Sequence, residues 1–155
     1  MRHRIARIVC LLVPLSAAVA ADEGNPYDDP PPLAATHGIA DCPAPRVRVL
    51  SPDEARREAH QRVERGTSCW LAGTCPPGGD YKGDGDLNAR VAAAIAADGR
   101  FADSSVWVET LRKFVTLKGC VTTVEQGRAL DDLVRSIDGV KRVWLETKIV
   151  GGRRP

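Results

Sequence analysis

Histidine is scarce in this 155-residue chain: only His3, His37 and His60 occur. His3 falls in a stretch expected to be removed. His37 lies in a proline-rich segment and His60 on a charged helical one, so no serine or cysteine has a general base beside it. An enzyme is therefore not expected, and no cofactor or small-molecule substrate is evident. Long apolar runs are also missing. The longest covers residues 8–13 and Leu15 around Pro14, well short of the roughly 20 residues that span a bilayer. Strong net charge is missing too: the chain has 22 basic and 20 acidic side chains. Residues 1–20 hold three of the arginines and no acid, which leaves 19 basic against 20 acidic in the remainder. Nucleic-acid binding, which needs a basic surface to neutralise phosphates, has no support from that balance. No Gly-x-x-Gly loop joins two helices as a KH-type RNA module would require, and no internal repeat is present.

The N-terminus has the pattern of a secretory signal peptide. Arg2, Arg4 and Arg7 form its positive start, the short apolar run its centre, and Ala18-Val19-Ala20 a small-residue cleavage site after Ala20. Cys10 sits inside the apolar centre without a small residue before it, so lipid attachment there is not expected. The reading is export to the periplasm with residues 1–20 removed. Residues 21–50, rich in proline and acids, read as an extended, mostly disordered linker. Ser51, Pro52 and Glu54 then make a helix start, with a cap, a first-turn proline and a capping-box glutamate. This charged helix is expected over 51–65, within a segment of helix and loop running to residue 83.

Four cysteines follow the leader: Cys42, Cys69, Cys75 and Cys120. In an oxidising compartment an even number reads as disulfides, with three pairings open. The short loop Trp70-Leu71-Ala72-Gly73-Thr74 favours Cys69 with Cys75, since short loops close at little entropic cost, leaving Cys42 with Cys120. No spacing matches a zinc site or a redox pair. The acidic run Asp80, Asp84, Asp86 and Asn88 suggests calcium, but the register fails. A loop begun at Asp84 puts Ala89 at the turning glycine and Ile95 at the closing glutamate; one begun at Asp80 puts Val91 at that closing position. The run reads instead as a flexible turn, with Asp86 capping the helix that Leu87 begins.

The most informative stretch is residues 84–150. Leu87, Val91 and Ile95 recur every four residues, as on one helical face. Val106, Val108 and Thr110 alternate with Trp107 and Glu109 as a strand. After the turn Leu111-Arg112-Lys113, alternation resumes in Val115, Leu117, Gly119 and Val121, so the two runs form a hairpin. Thr123 caps a second helix, with Gln126 placed to reach back to the capping residue's amide and Ala129, Leu130, Leu133, Val134 and Ile137 as its buried stripe. Gly139 is expected to end that helix. A last strand follows, with Val140, Val143, Leu145, Thr147 and Ile149 on one side and Trp144, Glu146 and Lys148 on the other.

This order of pieces resembles the BON domain of bacterial periplasmic and envelope proteins. The helix with aliphatics four apart, the Val-x-Leu-x-Gly-x-Val stretch from Val115 to Val121 and the Gly-Val pair Gly139-Val140 carry the resemblance, in one copy in the C-terminal half. It implies an α+β fold: an α-β-β-α-β sandwich with a three-stranded mixed sheet and two helices on one face, here preceded by a disulfide-stapled helical segment and followed by a tail, 151–155. It also implies a non-enzymatic envelope module associated with phospholipid membranes and envelope integrity under osmotic stress. The alternative is a protein–protein adaptor in outer-membrane or cell-wall assembly.

If both helices cover the valine face, the other face carries Trp107, Phe114 and Trp144, with Lys118 and Lys148 beside them. Rings of that size bury about 150–250 Å² each, so an uncovered patch would be larger than most soluble monomers expose. Either the loop with Trp70 and Leu71, or the helix before it, lies over the rings, or the face stays partly open to meet lipid headgroups, an envelope protein or a second copy.

Overall fold

The computed structural model describes residues 24–150. The signal pattern of residues 1–20, with Cys10 and Ala20, and the tail 151–155 lie outside the described residues. Three helices and four strands follow in the order β1 (Leu33–Ala34), α1 (Pro52–Leu71), α2 (Asp84–Ala97), β2 (Ser105–Leu111), β3 (Phe114–Val121), α3 (Val124–Arg135) and β4 (Arg142–Ile149). Among the described residues no helix is long and apolar enough to cross a membrane.

The hairpin pairs β2 and β3 antiparallel with Trp107 opposite Lys118 and Glu109 opposite Thr116. Strand β4 returns through α3 to lie parallel to β3, with Thr116 beside Trp144 and Leu117 beside Leu145. Period-two alternation then sends Val106, Val108, Val115, Leu117 and Val143 to one face. There Leu87, Val91 and Ile95 of α2 and Leu130 and Val134 of α3 close over them, with Phe101 from a short 3-10 turn at one end. All eleven are at most 4% exposed, so the aliphatic pattern in the sequence is the core. Gly119 has φ +127°, and a Cβ there would lie 2.1 Å from the Ser105 carbonyl oxygen, so the glycine is required by the close approach of β2 and β3.

The sheet has four strands, not three. Leu33 and Ala34 pair antiparallel with Val108 and Trp107, giving the order β1-β2-β3-β4. The outer edge of β2 would otherwise carry unpaired backbone groups. Beyond β1 the contact continues: the Ala35 N–H donates to the Val106 carbonyl at 2.8 Å and the Gly38 N–H to the Ser104 carbonyl at 2.7 Å. Composition predicts a mostly disordered linker here. Backbone pairing, a Thr36–Ser104 hydroxyl contact at 2.9 Å and a disulfide from Cys42 to Cys120 instead fasten this segment to β2 and β3.

Helix boundaries differ from the sequence reading in instructive ways. Ser51 and Glu54 form the expected capping box, but α1 runs on to Leu71 because Gly66 does not end it; this glycine is buried against Gly78 and Gly79. Cys69 therefore leaves the last helical turn to meet Cys75. Helix α2 starts at Asp84, after Gly83 in the left-handed region, so Asp86 is not its cap. Helix α3 ends at Arg135 with Ser136 as its cap, and Gly139, at φ +89°, belongs to the turn that follows. Gln126 does reach back, but to the Thr122 amide at 2.9 Å, one residue before the capping Thr123.

Candidate functional site

The sheet face turned away from α2 and α3 carries the side chains that alternate with the core. Register places Trp107 beside Lys118, and Phe114 beside Arg142, with Trp144 next along β4. The five residues singled out from the sequence for binding, Trp107, Phe114, Lys118, Trp144 and Lys148, thus lie on one face. They are not equally available. Trp107 is half-buried, with the His37 ring edge-on to it at 5.9 Å between centroids. Lys118 forms an ion pair with Glu109. Lys148 is exposed and borders a shallow depression shared with Pro43, Pro45 and Glu146.

Cover over most of this face comes from the N-terminal strap, residues 33–50, and not from Trp70 and Leu71; at the Phe114 end Arg112 lies 6.0 Å from the Tyr81 ring and shares a hollow with Val63, Thr67 and Cys69 of α1. His37 lies against Trp107, Cys42 bonds Cys120, and Val47, Arg48 and Leu50 border a cleft with Glu109 and Leu111. Trp70 and Leu71 are 52% and 74% exposed. Helix α1 sits outside the strap. Arg48 meets Glu58 of α1 at 2.7 Å, and the Tyr27 hydroxyl donates to the Ala55 carbonyl. Arg62 is held between the Tyr27 and Tyr81 rings, 4.1 Å from each centroid, while pairing with Asp29 and Glu58. The hydrogen bond from Arg48, aided by one from Arg62, holds the Glu58 carboxyl below the usual carboxylate range against the opposing effect of burial.

What the strap leaves open is one end of the face. Phe114 is half-buried there and Trp144 is 49% exposed. Arg112 lies over the Phe114 ring at 5.4 Å and Arg142 over the Trp144 ring at 5.2 Å. Neither arginine forms an ion pair among the described residues. Two guanidinium groups lying over two aromatic rings make a surface suited to anionic groups beside an apolar layer. Sequence reasoning missed both arginines, although Arg142 shares the parity of Trp144 and the hairpin register puts Arg112 next to Phe114.

The acidic run serves the fold. Asp84, only 3% exposed, accepts from the Arg112 and Lys113 backbone N–H groups at 2.6 and 3.0 Å, with the Lys113 ammonium at 3.3 Å. Arg112 and Lys113 both take positive φ, 57° and 63°, in the tight turn between β2 and β3. Neither is glycine, asparagine or aspartate, the residues such turns favour, so the buried carboxylate holds a conformation their side chains resist. Asn88 accepts from the Thr110 hydroxyl at 3.0 Å and donates to the Pro31 carbonyl at 3.2 Å, tying α2 and β2 to the residues just before the strap. Asp80 pairs with Lys141 at 2.6 Å.

Residues 83–151 match the family model of the BON domain, in a single copy. This match runs from the start of α2 through β4, so the C-terminal half is similar to the BON domain, and the strap and α1 lie outside the matched residues. A search of the curated proteins found no match to the chain.

Proposed function

We propose that this chain is an exported, non-enzymatic binding module of the cell envelope, acting in the periplasm, that associates with phospholipid surfaces through Arg112, Phe114, Arg142 and Trp144. The BON match supports a periplasmic or envelope phospholipid-binding role, and the leader pattern of residues 1–20 supports export. The observation that carries the reading is the half-exposed Trp144 with a guanidinium over its ring that forms no ion pair among the described residues. Tryptophan prefers the bilayer interface, and each arginine near an anionic surface adds about 1 kcal/mol of attraction. A chain of near-zero net charge with two such arginines binds weakly and releases in salt. Support of envelope integrity under osmotic stress belongs to the same reading.

Flotation with phosphatidylglycerol vesicles tests it. The protein without residues 1–20 floats at low salt; Trp144→Ser, with its fold confirmed by circular dichroism, does not. Retained flotation of that variant rejects this face as the lipid site. One observation favours a protein adaptor of outer-membrane or cell-wall assembly instead: Val63, Trp70 and Leu71 on and beside the last turns of α1 are 68%, 52% and 74% exposed. A specific envelope protein recovered by the wild-type chain and lost with Trp70→Ser, without any flotation, supports that second reading.

A further inference from the structure

Among the described residues strand β4 is the outer strand of the sheet and pairs only with β3. The opposite edge is the two-residue β1, short enough to offer little template. Strand β4 has eight residues and no proline, and it exposes Trp144, Leu145 and Ile149 to 49%, 42% and 52%. A long edge without proline or bulge invites another strand, provided that the strand's charges complement its own.

The phase of the ladder shows which backbone groups are free. The Val150 N–H donates to the Val121 carbonyl, so even-numbered residues of β4 turn their backbone groups toward β3. Those of Val143, Leu145, Thr147 and Ile149 face outward. The Val143 carbonyl accepts from the Arg135 guanidinium at 3.5 Å, which leaves the row Leu145, Thr147 and Ile149.

Charge then selects the occupant. Arg142, Glu146 and Lys148 lie on one face of β4. Suppose a second copy of β4 pairs antiparallel, related by a two-fold axis. An axis through Leu145 sets Arg142 opposite Lys148, and one through Glu146 sets that carboxylate opposite itself; both oppose like charges. An axis through Trp144 sets Arg142 opposite Glu146 but requires the Val143 carbonyl that Arg135 occupies. An axis through Thr147 sets Glu146 opposite Lys148 twice and Leu145 opposite Ile149 twice. It also uses the free row, each facing pair exchanging two backbone bonds.

We propose that two copies of this chain associate edge to edge through β4, antiparallel about Thr147, making one continuous sheet. This interface stands independently of the lipid reading. It places the aromatic faces of both copies on the same side of the joined sheet.

Sedimentation equilibrium of the chain without residues 1–20, from about 10 to about 500 µM, tests it, with a dimer expected to grow in with concentration. Glu146→Lys and Lys148→Glu each oppose like charges twice and weaken the dimer about tenfold or more, while the double variant restores it. Thr147→Pro removes an outward N–H that β3 does not use. It abolishes the dimer without loss of secondary structure by circular dichroism. A wild-type chain that stays monomeric throughout overturns the proposal. So does a dimer indifferent to Lys148→Glu, since the Trp144-centred register leaves Lys148 without a facing acid.

Discussion

Removing each disulfide separately should have very different consequences. Cys42 and Cys120 are 78 residues apart and join the strap to β3; Cys69 and Cys75 are 6 apart and close a loop at the end of α1. Loop-closure entropy in the unfolded chain predicts a loss of about 4.5 kcal/mol for the long link and about 2 kcal/mol for the short one. Alanine at the paired positions, Cys42→Ala with Cys120→Ala and Cys69→Ala with Cys75→Ala, avoids placing a hydroxyl where Cys42 and Cys120 are buried. Urea unfolding followed by far-ultraviolet circular dichroism measures both. The midpoint should fall by roughly twice as much for the long link, with a similar slope if the unfolded states are comparably expanded. Trypsin provides a local readout: Arg46 and Arg48, in the strap, should become early cleavage sites only when Cys42 is freed. Equal losses for the two variants, or an unchanged strap after removal of Cys42–Cys120, would refute the view that this link fixes the cover over the sheet.

Two further perturbations follow from buried and paired carboxylates. Asp84→Ala leaves the Arg112 and Lys113 amides without their acceptor and should cost about 3 kcal/mol, read by urea unfolding, with faster hydrogen exchange at those two amides than in the wild type. Glu58, whose carboxyl is held below its usual range chiefly by the Arg48 hydrogen bond, should contribute stability fully present above about pH 4.3 and lost as the pH falls through the depressed folded value; Glu58→Gln should flatten that part of the acid profile, and an unchanged profile would remove the Arg48–Glu58 pair from the account of how α1 is held.

Elements defined by contacts a few residues apart were legible in the sequence. The alternation of Val106, Val108 and Thr110 and of Val115, Leu117 and Val121 reports burial on one face, and Ser51 with Glu54 is a local capping arrangement, so both appear where the pattern puts them. The strap was illegible because nothing local orders it. Its order comes from Ser104, Val106 and Cys120, all far along the chain, and its prolines also fit a free linker. Helix ends went astray at both helices: α1 runs past residue 65 through Gly66, a packing contact, whereas Gly139, read as the end of α3, turns the chain after that helix has already ended. The aromatic face was legible from parity, yet its open part was not, since which rings remain accessible depends on the course of the strap. Arg112 and Arg142 come over Phe114 and Trp144 only once the β2–β3 turn and β4 are in place.

The two disulfides are nested: the long link encloses both ends of the short one. A polypeptide that emerges N-terminus first presents Cys42 to Cys69 and Cys75 well before Cys120 follows, so oxidation in order of appearance would trap a wrong partner. Early closure of the six-residue pair withdraws both competing thiols, because small loops close fastest. Cys42 then waits for the β2–β3 hairpin to deliver Cys120. The order this nesting favours is the small ring first, the sheet next and the strap last; a Cys42–Cys69 or Cys42–Cys75 bond formed out of turn would have to be exchanged by thiolate attack before the strap could settle.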